Sequence, residues 1–208
     1  MHIDHQTRYN LSFTAVSLRP ELARIVAEHY QEMGNWDMTK ARILSSNALQ
    51  CRSAGSAVRM ERELRNRLKG LTDQQIAILA QATAEDRAAI AWLAALKYIR
   101  FAFDFAADVL REKLASHDPI LRPSDYEGYA DNQSMSHPEL TQLAASSKHK
   151  IRQVLLLMLA EAGLLAVGTA LGTLQRPVLS PAVLNAITAD SPHWLAGFLV
   201  PDTEIGCL

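Results

Sequence analysis

Cysteine is scarce: Cys51 and Cys207 are the two in 208 residues. They make no CxxC, and no Cys/His set has zinc-ligand spacing, which excludes a disulfide framework and leaves no metal expected. Such sparing use of thiols reads as a reducing, cytoplasmic location. Glycine and proline are few as well, 9 and 8, which argues against a turn-rich β fold. Catalytic signatures are missing. GxSxG, HExxH and a cysteine with an evident histidine partner do not occur, and Gly168 to Gly172 (GTALG) lacks the lysine and hydroxyl of a phosphate-binding loop. His2 and His5 fall in a terminal arm and are not read as a metal pair. No acidic cluster lies near a lysine in the manner of a nuclease. The expectation is a protein that is not an enzyme, with no catalytic residue and no cofactor.

Long uncharged runs are absent too. The N-terminal MHIDHQTRYNLSF has no apolar core of a secretory signal. The most apolar stretch, Ala84 to Ser116, carries Lys97, Arg100, Asp104 and Asp108 between Ile90 and Leu110. Each such charge at a bilayer centre costs roughly 2.5 to 3.5 kcal/mol, so a membrane span is excluded. Spaced 3, 4 and 4 apart, the four form one stripe in which Arg100 and Asp104 can pair and no catalytic role is needed. Thr83 can cap the first turn with Asp86 three positions on, and His117-Asp118-Pro119 stops the helix. The stretch therefore reads as one long central helix, apolar almost all round, the spine of a soluble bundle.

What is present points to helix. Hydrophobic residues make up 49% of the chain, rich in Ala and Leu. Residues 1 to 16 read as an irregular arm with a short alternation at Tyr9, Leu11 and Phe13. Helices follow from Pro20 to Gly34, Trp36 to Ser46, Ala54 to Leu71 and Gln74 to Ala82. After the long helix, the proline-marked DPILRPSD is the candidate boundary between an N-terminal helical domain, 1–118, and a C-terminal one, 119–208. There, a short helical piece from Asp125, a loop NQSMSHPE, a helix from Pro138 and a longer one capped by Ser146-Ser147 lead to Gly163 and AVGTALGTLQRPVL. The last reads as a strand, glycine turn and return strand. This is the order of a winged helix, whose third helix enters the major groove; helices ending in glycine before two leucines are equally ordinary in bundles. The expected fold class is all-α: a multi-helix bundle around one long central helix, with a winged-helix-like C-terminal part carrying a small β-hairpin. A last helix from Pro181 precedes an aromatic docking segment containing Trp194 and Phe198.

Net charge is −1 but unevenly placed. Between Cys51 and Lys69, Arg52, Arg59, Arg62, Arg65, Arg67 and Lys69 face only Glu61 and Glu63, while the chain after Gln153 is acidic. Ala57, Met60, Leu64, Leu68 and Leu71 keep to one helix face; Arg59, Arg62 and Lys69 share the other, flanked by Arg65, and Arg67 lies toward the seam. Such a face either presents cations to a phosphate backbone or is a solvated surface partly neutralised by Glu61 and Glu63. Lys148, Lys150 and Arg152 crowd the first turns of another helix, where cations oppose the helix dipole unless an anion sits there.

The blocks YNLSFTAVSLRPELARIVAEHY, GNWD, NALQCRSAGSAVRMERELRNRLKGLTD, FAADVLREKL and SKHKIRQVLLLMLAEAGLL together resemble the BrxA proteins of BREX (bacteriophage exclusion) phage-defence systems, in order from about Tyr9 to Ser180. The resemblance implies a small, cytoplasmic, helical, non-enzymatic component of a system that methylates host DNA and blocks replication of phage DNA. It further implies double-stranded DNA binding with little sequence preference, and as partners a methyltransferase, a large ATPase and an alkaline-phosphatase-like protein. Residues in matching blocks are Arg52, Arg59 and Arg62, and Lys150 and Arg152; the match is weakest over 166–176. The expected DNA-binding set is Arg52, Arg59, Arg62, Arg65, Lys69, Lys148, Lys150 and Arg152. An adaptor whose basic face docks an acidic partner protein is the other reading.

Overall fold

The computed structural model describes residues 8–166 and 172–207. Local signals start most helices. Pro20 opens α1 (Pro20–Met33), which closes on Gly34 at φ +63°. Asn35 caps α2 (Trp36–Ser46) and Ser53 caps α3 (Ala54–Leu68) through side-chain oxygens. Thr72 and Gln75 form a reciprocal capping box at α4 (Asp73–Gln81). Thr83 accepts the Asp86 N–H at the head of α5 (Ala84–Tyr98).

The spine departs from the single helix expected. It leaves helical geometry at Ile99 (φ −114°, ψ 82°), resumes as α6 (Arg100–Asp104), passes through a π turn over Phe105–Leu110 and ends as α7 (Arg111–Ala115). Packing from outside accompanies the change. The Tyr129 hydroxyl donates to the Phe101 carbonyl at 3.1 Å, an oxygen that also accepts the Phe105 N–H. Phe101 and Phe105 pack against Tyr126 and Tyr129 with ring centroids 5.0 to 6.3 Å apart. A hydroxyl entering the carbonyl ladder perturbs its i→i+4 pattern, and hydrophobic periodicity carries no sign of it. Trp92, Phe101 and Phe105 are fully buried, so the stretch is the core's axis, as its composition requires.

Beyond the spine, β1 (Ile120–Leu121) precedes α8 (Pro123–Ser134), which runs through residues expected to be loop, then α9 (Pro138–Thr141) and α10 (Ala145–Glu161). Ser146 and Ser147 lie inside the first turn of α10 and do not cap it; Ala144 occupies the cap position without a side-chain bond. Gly163 (φ +73°) ends it, with Leu164 N–H bonded to Leu159 O and Gly163 N–H to Ala160 O, a pattern only a left-handed residue closes. β2 (Leu165–Ala166) and β3 (Gly172–Leu174) pair antiparallel, and β3 also pairs with β1, giving the order β1-β3-β2. The expected hairpin is present in its strands, while its turn, 167–171, lies outside the described residues. The β1 edge was not anticipated. α11 (Pro181–Asp190) and a 3-10 segment (Pro192–Phe198) pack back on the spine, and α12 (Asp202–Ile205) packs on that segment. Gln75 bonds the Ala186 carbonyl, and Trp92 Nε1 donates to Gly197 O at 2.9 Å. Among the described residues no helix is long and apolar enough to cross a membrane.

Of the arm expected to be irregular, residues 1 to 16, the described part contains a 3-10 turn (Phe13–Ala15) and, continued to Arg19, acts as a strap. Tyr9 N–H donates to Glu139 Oε1 at 2.6 Å, its hydroxyl to Asp104 at 2.7 Å, and its ring stacks on His137 at 3.9 Å. Buried Arg67 donates to the carbonyls of Val16 and Ser17, and Glu161 receives the Ser17 hydroxyl and the Leu18 N–H. Burial raises the Glu139 pKa, but bonds from the Tyr9 N–H, its own backbone and His137 outweigh that and hold it below the ordinary carboxylate value. A depressed carboxylate stabilises the fold above its unfolded pKa, and that contribution is lost as pH falls through the folded one. We therefore expect the Tyr9 amide resonance to hold its folded-state shift down through the ordinary glutamate range and to move only below it. Movement at or above that range would contradict the assignment.

Candidate nucleic-acid interface

α3 is positioned by what it buries. Leu64, Leu68 and Arg67 face inward, and two carboxylates expected at the surface go with them: Glu61 is 0% and Glu63 6% exposed. Neither can neutralise the solvent face. Each is instead consumed by an arginine one turn on, Glu61 by Arg65 (2.6 Å) and Glu63 by Arg67 (3.0 Å). Turning these acids inward leaves Arg59 and Arg62 exposed on α3, with Arg52 just before it and Lys69 just after.

The eight expected residues therefore divide. Arg52, Arg59, Arg62, Lys69, Lys148 and Lys150 are exposed and have no carboxylate partner among the described residues. Arg65 is half-buried against Glu61, and Arg152 pairs with Glu127 of α8 at 3.0 Å. Arg65 is thereby tied to a buried carboxylate, whereas the Arg152–Glu127 pair lies at the surface, its side chains 29% and 61% exposed, where such pairs are weak. Arg65 is doubly constrained, because the second oxygen of Glu61 is buried without a hydrogen-bond partner. Replacing Arg65 would strand a buried charge.

The strap brings the two basic helices onto one segment. The 3-10 turn Phe13–Ala15 packs against both α3 and α10. Arg67 grips it from α3, Glu161 from the far end of α10, and Leu11 and Thr14 border a cavity of about 240 Å³ with Ser146, Ser147 and Lys150 at the head of α10. On α10, Ser146, His149, Lys150, Gln153 and Leu157 form an exposed stripe opposite buried Ile151, Val154, Leu155, Met158 and Leu159. Sequence reasoning missed Lys40 and Arg42, both exposed on α2, which packs against α3. In the sequence they are isolated cations on a short helix, and only that packing makes them relevant. Among the described residues no cluster of His, Cys, Asp and Glu could hold a metal ion.

Comparison with known proteins agrees with this picture of the fold. The structure superposes on the crystal structure of an uncharacterized protein from Magnetospirillum magneticum with a TM-score of 0.76 at 20% identity, covering 93% of this chain and 98% of that one. At that identity the likeness concerns the fold alone. A curated relative, the BREX protein BrxA of Bacillus cereus (strain H3081.97), is 25% identical over 150 residues, 72% of this chain and 75% of the relative. The BrxA family model matches residues 7–191, and by that match the chain belongs to the BrxA family.

Proposed function

We propose that the protein is a DNA-binding accessory component of a BREX phage-defence system, non-catalytic, which holds double-stranded DNA mainly by its phosphates. Family membership and the relative's description as a BREX protein support the setting. The observation that carries the DNA reading is the inward turn of Glu61 and Glu63. It separates α3 into a neutralised buried half and an exposed cationic half at no cost in buried unpaired arginine. Cations with no protein counter-charge are the ones that release condensed counterions from a duplex. The order α8, α9, α10 and β2-β3, with β1 closing the sheet, supports a winged-helix reading in which α10 approaches the groove and Lys148 and Lys150 meet the backbone beside it. The methyltransferase, ATPase and phosphatase-like protein of such a system are the protein partners proposed, and the cytoplasm the location.

The test is a gel-shift of the purified protein with several unrelated duplexes at two salt concentrations. Binding to all of them, weakening together as salt rises, is the expected result. No shift at low salt would turn the reading to the adaptor, and preference for one duplex would turn it to a sequence-specific regulator.

A further inference from the structure

A cleft between the spine and the C-terminal 3-10 segment plays no part in the proposed DNA contact. Two cavities meet along it, of about 240 Å³ and about 560 Å³, sharing Arg100, Phe103, Asp104 and His193. The spine leaves α geometry on both sides of this junction: at Ile99, and in the π turn whose Ala107 and Asp108 line the smaller cavity. π turns are rare and gather at functional sites. The larger cavity is within the usual size range of ligand pockets and combines an apolar wall with a few polar groups, as such pockets do.

The wall is aromatic. Phe103, His193 and Trp194 lie with ring centroids 4.7 to 5.7 Å apart, and since His193 is exposed and Trp194 partly so, ring surface faces the opening. The polar groups are of both signs. Asp104 sits beside Arg100, Oδ2 to Nε 3.4 Å; Lys97, along the same edge, is paired with Asp190 at 2.6 Å. Tyr9 and Arg100 both approach Oδ2, and a carboxylate has lone pairs beyond those two contacts.

This mixture selects the ligand. An anion would face Asp104 and, in the smaller cavity, Asp108 and Asp202, and an organic cation would face Arg100 and Arg111. A flat, neutral heterocycle carrying donors and acceptors side by side satisfies both and stacks on the rings. Among nucleobases, guanine offers acceptors at O6 and N7 next to donors at N1 and the exocyclic amine. An arginine donates to the former and a carboxylate accepts from the latter. We propose that this cleft binds guanine as a free nucleoside or nucleotide, stacked on Trp194 and His193 and held at its edge by Asp104 and Arg100.

The experiment is a tryptophan-fluorescence titration of the full-length protein with guanosine, GMP, adenosine, cytidine and a guanine-containing single-stranded oligonucleotide, with duplex gel-shifts run in parallel. Guanosine and GMP should give a saturable change, and adenosine and cytidine should bind about tenfold or more weakly, the discrimination of one bidentate edge contact. The change should vanish in Trp194→Phe while its circular dichroism, melting temperature and duplex binding stay as in the parent. Asp104→Asn keeps an acceptor for Tyr9 and should weaken guanosine by a similar factor. No saturable response up to about 1 mM guanosine, the weak end of specific affinity, would overturn the proposal. So would an equal response to adenosine, a response surviving in both variants, or a response to the oligonucleotide without one to guanosine. Duplex binding is read separately, so failure here leaves the DNA reading standing and the reverse.

Discussion

Arg67→Ala is expected to destabilise the protein by about 3–5 kcal/mol, the usual cost of removing one partner from a buried ion pair. The arginine is 2% exposed, pairs with Glu63 and donates to the carbonyls of Val16 and Ser17, so truncation strands a carboxylate and two backbone acceptors together. Burial holds its guanidinium pKa below the ordinary value, and Glu63 offsets only part of that. Should the alanine variant not fold, Glu63→Gln serves instead: it keeps the acceptor but removes the counter-charge, and is expected to cost about 1.5–3 kcal/mol, the range for a charged hydrogen bond. The measurement is urea unfolding. The consequence reaches function, because the strap that Arg67 grips is also held by Glu161 of α10. Duplex affinity in Glu63→Gln should fall even though none of the cations proposed to meet DNA is changed. A variant unfolding at the parent's midpoint would show that Arg67 does not anchor the strap.

The second large effect is on DNA. With about five phosphates neutralised, log affinity should fall against log salt with a slope near −4.5. Reversing Arg59 and Arg62 to glutamate removes two of those contacts. The slope should shrink to about −2.7, and affinity at about 0.1 M salt should drop on the order of 100-fold, while the melting temperature holds because both residues are exposed and unpaired with carboxylates among the described residues. Arg65 must be left out of that set. Opposite buried Glu61, its reversal would set two carboxylates face to face, and lost binding would then report lost folding. Unchanged affinity in the Arg59/Arg62 variant would end the assignment of this face.

The contrast between Arg62 and Arg65 shows how much of the site was legible. Both lie on or beside the polar side of an amphipathic helix, and helical spacing separates them only weakly. What divides them is the depth of Glu61, and no pattern in one sequence reveals that a glutamate at a seam position is fully buried. Arg67 was legible as a seam residue, but its partners come from residues 13 to 17, across a separation that periodicity does not encode. Lys97 is similar: in the sequence it belongs to a surface stripe, and in the fold it reaches Asp190 of α11 at 2.6 Å.

The caps at Thr72 and Thr83 followed from the sequence, because a capping hydroxyl acts within three residues of itself and needs no tertiary partner, whereas Ser146-Ser147, read as a cap, lies inside its helix. For the same reason the all-α class, the charged stripe that rules out a membrane span and the Gly163 stop were readable from the chain alone. The break at Ile99, the π turn, the pairing of β1 with β3 and the division of eight cations into six without and two with a carboxylate partner among the described residues were decided by tertiary structure. The last three each meet a group distant in sequence, a tyrosine hydroxyl, a strand edge or a buried carboxylate, whose approach a local pattern does not contain.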